Sequence, residues 1–264
     1  VGNYLYAIIS GGPMKVWNGI SWNDFSSPWL SQIISDKNGN IYGIGKQQYS
    51  DGITKYYVVK YDGTLWSYVG GTDTVFNDDI NSITIDSNSN LFVAGWFTNS
   101  SGKSYVAKWN GSIWTELTGT NNNLNSGGYL YSLHSMCVDK IGNLYVSGNY
   151  SDSLGSVFLA KWNGFSWSGV RGNNISNLLG GYQSVDIDSN GTLYASHFDT
   201  MVINNATSSA YNYKVVKRIS QNPLINDFTP RLAISGNSVK ITGSFFSGCL
   251  GVYFGDTPSM NYQV

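Results

Sequence analysis

Asp186-Ile-Asp188-Ser-Asn190-Gly191 carries the most metal-like spacing in the chain. Carboxylates and an amide at alternate positions ahead of a Gly are how a calcium loop opens, and a bidentate Glu about six residues after the Gly closes it. Residue 197 is His, and nothing acidic falls at that place. The matching stretches elsewhere read Asp36-Lys-Asn38-Gly39 and Asp139-Lys-Ile-Gly142. These Asp are therefore expected to cap turns by accepting backbone N–H bonds, and no metal is expected. The two histidines, His134 and His197, have no nucleophile motif beside them, and a Gly-x-Ser-x-Gly elbow is absent. Carboxylates from separate parts of the chain are a route to glycoside hydrolysis, but there are only 16 acidic residues and many sit in turns. The expectation is no enzyme and no cofactor.

Aromatic residues beside polar ones suit a different chemistry, stacking on a sugar ring. They occur at equivalent places: Trp96-Phe97, Asn149-Tyr150 and His197-Phe198, with Lys46-Gln47 as a fourth pair. These six, Trp96, Phe97, Asn149, Tyr150, His197 and Phe198, are the candidate ligand-binding residues. Each pair opens a segment read as a long variable loop, at 46–54, 97–104, 150–156 and 197–212. Loops on a rigid scaffold are where function collects. The competing reading is that the aromatics seal neighbouring sheets together.

The elements that would position them are repeats. An aromatic, Asn or Asp, Gly, two residues and Trp recur as Trp17-Asn18-Gly19-Ile-Ser-Trp22, Tyr61-Asp62-Gly63-Thr-Leu-Trp66, Trp109-Asn110-Gly111-Ser-Ile-Trp114 and Trp162-Asn163-Gly164-Phe-Ser-Trp167. Asn-Gly or Asp-Gly between apolar runs is the strongest short hairpin signal. A two-residue loop would pair Trp109 with Ser112 and set Trp114 diagonally across from Trp109; a wider loop would shift that register. Ahead of each hairpin lies a strand of the Asn-Leu-Tyr type, as at Asn143-Leu-Tyr145. Ahead of that lies a short apolar strand ending in Asp, as at Met136-Cys-Val-Asp139. One unit is thus four strands, a (ending in Asp), b, c and d. The first hairpin aromatic falls at 17, 61, 109 and 162, steps of 44, 48 and 53 residues. A four-strand unit at roughly that period is expected to be a β-propeller blade. About five are visible, the first without strand a and the last without strand d, which suggests a segment of a longer protein.

Composition agrees with many short strands. Charged residues make up 12%, against about 25% in an average soluble domain. Aromatics reach 15%, and Gly is abundant. The net charge of −1 and the lack of a basic patch argue against nucleic acid. No apolar run approaches the roughly 18 residues of a membrane span. The two cysteines, Cys137 and Cys249, read as buried thiols, with a disulfide left open. Six Asn-x-Ser/Thr sequons occur, at Asn99, Asn110, Asn149, Asn174, Asn190 and Asn205.

The Leu-Tyr-Val-x-Gly … Ala-Lys-Trp-Asn-Gly-x-x-Trp pattern resembles kelch-like propeller repeats of secreted bacterial and large-virus proteins, over about residues 1–219. The first copy departs from it with Met14-Lys-Val-Trp17, and the fifth with Lys217-Arg-Ile. From about residue 222 the pattern changes. Pro223-Leu-Ile-Asn-Asp-Phe228-Thr-Pro230, Val239-Lys-Ile241-Thr-Gly243-Ser-Phe245 and Gly251-Val252-Tyr-Phe254-Gly255 resemble the start of an IPT/TIG domain, an immunoglobulin-like sandwich. A whole sandwich needs about 100 residues, so only part of one is expected here. The expected organisation is an all-β chain, a β-propeller of four-stranded blades over 1–221 and a partial immunoglobulin-like sandwich over 222–264. These resemblances imply architecture and an extracellular or surface-exposed setting, on a cell envelope or virion. The function expected is a non-catalytic recognition or adhesion module. Its partners would be glycans or surface proteins. The alternative is a structural spike, fibre or filament part that packs against neighbouring subunits.

Overall fold

The computed structural model describes residues 4–9, 13–71, 76–118, 133–152, 155–170, 182–203, 206–217, 224–229, 240–244, 253–254 and 257–258. Every regular element among them is a β-strand. No helix of the described residues is long and apolar enough to cross a membrane. The chain divides into two compact units, Val1–Arg218 and Ile219–Val264.

In the first unit, β1 (Leu5–Ala7), β2 (Met14–Trp17) and β3 (Trp22–Phe25) form a three-stranded antiparallel sheet. Three four-stranded sheets follow. They are β4 (Gln32–Ser35) to β7 (Trp66–Tyr68), β8 (Ile80–Ile85) to β11 (Trp114–Glu116), and β12 (Leu133–Val138) to β15 (Trp167–Gly169). Within them, β5 is Ile41–Gln48, β6 Thr54–Tyr61, β9 Leu91–Gly95, β10 Ala107–Trp109, β13 Leu144–Asp152 and β14 Gly155–Trp162. A fifth sheet has three strands, β16 (Tyr182–Ile187), β17 (Leu193–Ile203) and β18 (Ala206–Lys217). In the second unit β19 (Leu224–Thr229) pairs with β20 (Lys240–Ser244), and β21 (Tyr253–Phe254) with β22 (Thr257–Pro258).

The turn between strands c and d has the wider of the two loops that the sequence left open. Trp17 pairs directly with Trp22, Tyr61 with Trp66, Trp109 with Trp114 and Trp162 with Trp167. The loop is therefore four residues long. Its first side chain explains this. Oδ1 of Asn18, Asp62, Asn110 and Asn163 accepts the backbone N–H groups of the residues two and three further on. Only the Gly has positive φ, between +96° and +100°, whereas a type I′ turn needs two such residues. Direct pairing brings the ring centroids to 5.2–5.7 Å. The Lys before the hairpin has its own partner: Lys60, Lys108 and Lys161 lie over the rings of Tyr42, Phe92 and Tyr145 across the neighbouring strand. In the first copy Lys15 stands one residue earlier relative to its Trp and pairs with Asp24 instead.

The Asp that ends strand a caps the a-to-b turn, as expected. Asp36, Asp139 and Asp188 accept backbone N–H bonds from the residues two and four further on. Their second oxygens accept the hydroxyls of Tyr42, Tyr145 and Tyr194. At Asp36 desolvation is the largest influence and acts upward, but the Asn40 side-chain amide and the backbone N–H bonds outweigh it and hold the carboxyl below its usual pKa; at Asp188 the Thr192 N–H bond leads and does the same.

In the three four-stranded sheets the start of strand b is buried on both faces, because alternate side chains point to opposite sides of a sheet. Leu91 and Val93 of β9 join one core with Tyr42, Ile44 and Val58; Phe92 and Ala94 join the next core with Met136, Leu144 and Trp162. That is why the strand reads as an unbroken apolar run rather than an alternating one.

Two kinds of side-chain bond recur between neighbouring sheets, each at three junctions. At the inner strands, Gln32 Oε1, Ser82 Oγ and Ser135 Oγ accept the backbone N–H of Ile83, Met136 and Val185 in the next sheet. At the outer strands, the indoles of Trp66, Trp114 and Trp167 donate to the carbonyls of Ser26, Val69 and Leu117 in the preceding sheet. Ser82 is buried, so Ser82→Ala leaves the Met136 N–H without its acceptor. The expected loss is about 2 kcal/mol, read from urea unfolding. A loss within experimental error would show that the bond is dispensable.

Candidate recognition site

At one end of the first unit, the start of strand a meets the end of strand b. The backbones there touch. A Cβ at Gly45 would lie 1.9 Å from the Trp29 carbonyl oxygen, and one at Gly95 2.0 Å from the Asp79 carbonyl oxygen. Both carbonyls are also bound: Trp29 O by the Tyr57 hydroxyl at 2.8 Å, and Asp79 O by the Trp96 N–H at 2.8 Å. Burial pushes the Tyr57 hydroxyl up to about 12, so it stays a neutral donor.

On this repeated frame the side chains differ. Trp29 and Asp79 occupy the same place, seven residues before the Asp of strand a. Lys46 and Trp96 both follow the Gly that ends the tightly packed part of strand b. Lys46 Nζ bonds Asp79 Oδ2 at 2.8 Å, across from one sheet to the next. That bond raises the Lys46 pKa and keeps the ammonium charged. Both partners are partly exposed, so the pair contributes only about 0.5 kcal/mol to folding.

A cavity of about 430 Å³ opens here, lined by Trp29, Leu30, Gly45, Lys46, Asp79 and Asn81. The Trp29 side chain and backbone together are 62% exposed although its carbonyl is pinned. The Asn81 amide donates to Leu133 O at 2.9 Å, which fixes the cavity wall to the following sheet. An exposed indole beside an ammonium and a carboxylate can stack on the apolar face of a ligand and bond its hydroxyls.

Of the six expected binding residues, Trp96 is 49% exposed at this same end. Phe97 is a correction: it is buried, with ring centroids 4.6 Å from Phe76 and 4.9 Å from Tyr105. It packs the core and offers no surface to a ligand. Asn149 and Tyr150 lie in β13, and His197 and Phe198 in β17, but their side chains fall outside the described residues. Three of the expected loops are also corrected. Gln48 pairs with Thr54, Asp152 with Gly155 and Ile203 with Ala206, so β5–β6, β13–β14 and β17–β18 are long hairpins. Strand pairing needs only backbone groups, and polar side chains do not prevent it. The segment after Phe97 does leave the sheet, with a single bridge between Thr98 and Ser104. Trp29, Asp79 and Asn81 were not singled out in the sequence; their fixed distance from the Asp of strand a was the available signal.

His134 is half-buried, and burial lowers its pKa. Cys137 is a buried free thiol whose pKa burial raises strongly; Cys249 lies outside the described residues. Among the described residues no three His, Cys, Asp or Glu side chains are grouped to hold a metal. No protein-family model matches the chain, and no curated protein matches its sequence.

Proposed function

We infer that the chain is a non-catalytic recognition module of a surface-exposed protein. In this reading the first unit is part of a β-propeller with kelch-like repeats, and the second is the start of an IPT/TIG-type sandwich. The order of the five sheets and their repeated junction bonds support the propeller. The setting is a cell envelope or a virus particle, and the ligand is a glycan engaged at the end that carries the cavity. One observation carries this reading: a repeated backbone frame presents different side chains, Trp29 and Lys46 from one sheet and Asp79 from the next, around one open cavity. Weak sites of this kind gain strength when several engage a multivalent surface.

A glycan array with the full chain and its Trp29→Ala variant tests it. Discrete saccharides should bind, and the variant should lose about tenfold or more in affinity with its unfolding midpoint unchanged. No glycan bound, or equal binding by the variant, would overturn the assignment.

A structural role has its own support. Ile20, Leu65, Ile113 and Phe165 all lie in the turns between strands c and d, and all are exposed. Apolar tips on four hairpins suit packing against neighbouring subunits. Concentration-dependent assembly without glycan binding would favour this reading.

A further inference from the structure

The cavity at the end of the first unit holds its charges already matched. Among the described residues Lys46 is the one cationic side chain that lines it. Its ammonium is bound to Asp79 Oδ2 at 2.8 Å. The two come from neighbouring sheets, Lys46 from β5 and Asp79 from just before β8. Asp78 adds a second carboxylate beside them. It accepts the Asp79 N–H at 2.7 Å, and its charge reaches both Lys46 and Tyr56. One ammonium thus faces two carboxylates, and the lining keeps no cation in reserve for an anionic ligand.

The hydrogen-bonding groups lean the same way. Ser31 turns its hydroxyl to the Ile44 carbonyl, and the Asn81 amide donates to Leu133 O. Asp79 Oδ1 and Asn81 Oδ1 accept no hydrogen bond from the described residues. A ligand is therefore met mainly by acceptors, beside the exposed Trp29 indole. Sugar hydroxyls donate to such acceptors, and an oxygen of the same ring can take a further N–H of the Lys46 ammonium. A carboxylate or sulfate has no proton to donate. To reach Lys46 it must share the ammonium with Asp79 or displace it, and either way it meets like charge at close range.

We propose, with the glycan assignment of this end as the premise, that the cavity selects saccharides that carry no carboxylate or sulfate, and that Asp79 is the residue that sets this specificity. Asp79 acts by holding the ammonium that an acidic sugar would otherwise engage. Its side chain and that of Lys46 are 29% and 56% exposed, so the pair is a weak staple for the fold and stands within reach of a ligand.

The test is a glycan array in which every acidic glycan is printed a second time after carboxyl reduction or desulfation, so that each pair differs in charge alone. The full chain should bind the neutral member of a pair about tenfold or more tightly than the acidic one at low salt. Added salt should narrow that gap. Asp79→Asn keeps the shape and frees Lys46, so it should bind acidic members about tenfold or more tightly than the unaltered chain does. Asp78→Asn keeps the Lys46–Asp79 pair and should narrow the gap only in part. Urea midpoints close to that of the unaltered chain are expected for both variants, because neither removes a buried group. Acidic glycans bound as tightly as their neutral partners by the unaltered chain would overturn the selection while leaving the glycan reading in place. So would an Asp79→Asn variant whose preference is unchanged. No glycan of either kind bound would overturn the glycan reading and the selection with it.

Discussion

Gly95→Ala is expected to destabilise the chain by about 3 kcal/mol. The new Cβ would lie 2.0 Å from the Asp79 carbonyl oxygen and 2.9 Å from both the Asp79 carbonyl carbon and Ile80 Cα. All three are backbone atoms, so no rotamer change relieves the overlap. The strand must move, and the 2.8 Å bond from the Trp96 N–H to the Asp79 carbonyl must stretch with it. Gly43→Ala is the matched control. There the new Cβ would meet the Leu30 side-chain methyls at 2.6 and 2.9 Å. The end of a leucine side chain can turn away, so the expected cost is under about 1.5 kcal/mol. Urea unfolding of the two variants decides the matter. A Gly95→Ala loss no larger than that of Gly43→Ala would show that the backbone contact is not rigid.

Trp167→Ala should cost about 4 kcal/mol, while Trp22→Ala should cost under about 1 kcal/mol. The two residues hold the same letter of the repeat. Trp167 is 2% exposed, lies in the core with Met136 and Leu144, and donates its indole N–H to Leu117 O at 3.1 Å. Trp22 is 50% exposed and its ring meets Trp17 at 5.7 Å. Burial, not the motif, sets the difference. Trp167→Phe keeps much of the packing and loses the indole bond, so it should fall between. Equal thermal midpoints for Trp22→Ala and Trp167→Ala would refute this account.

The strands were legible because their signals are local. Asn-Gly before a Trp marks a hairpin, and an apolar run closed by Asp marks a capped strand end. The register of the hairpin was not legible. Two-residue and four-residue loops both satisfy Asn-Gly, and the choice rests on the Asn side chain accepting two N–H groups at once. Phe97 was misread for a related reason. In each pair an aromatic next to a polar or aromatic residue can face either way, and only its neighbours Phe76 and Tyr105 decide that it turns inward. The cavity was hidden because its residues come from separate sheets: Trp29 and Lys46 from one, Asp79 and Asn81 from the next. Their shared backbone frame emerges only when Gly45 and Gly95 are seen against the carbonyls they touch.

The double-faced strand β9 has a consequence for how the unit comes apart. Its alternate residues belong to two cores, so neither core can open without disturbing the sheet that serves the other. The sheets behave as a row of nearest-neighbour couplings rather than as one block or as independent parts. The sheet built on β9 loses both couplings when it unravels, so its amides should be among the slowest to exchange of the described strands.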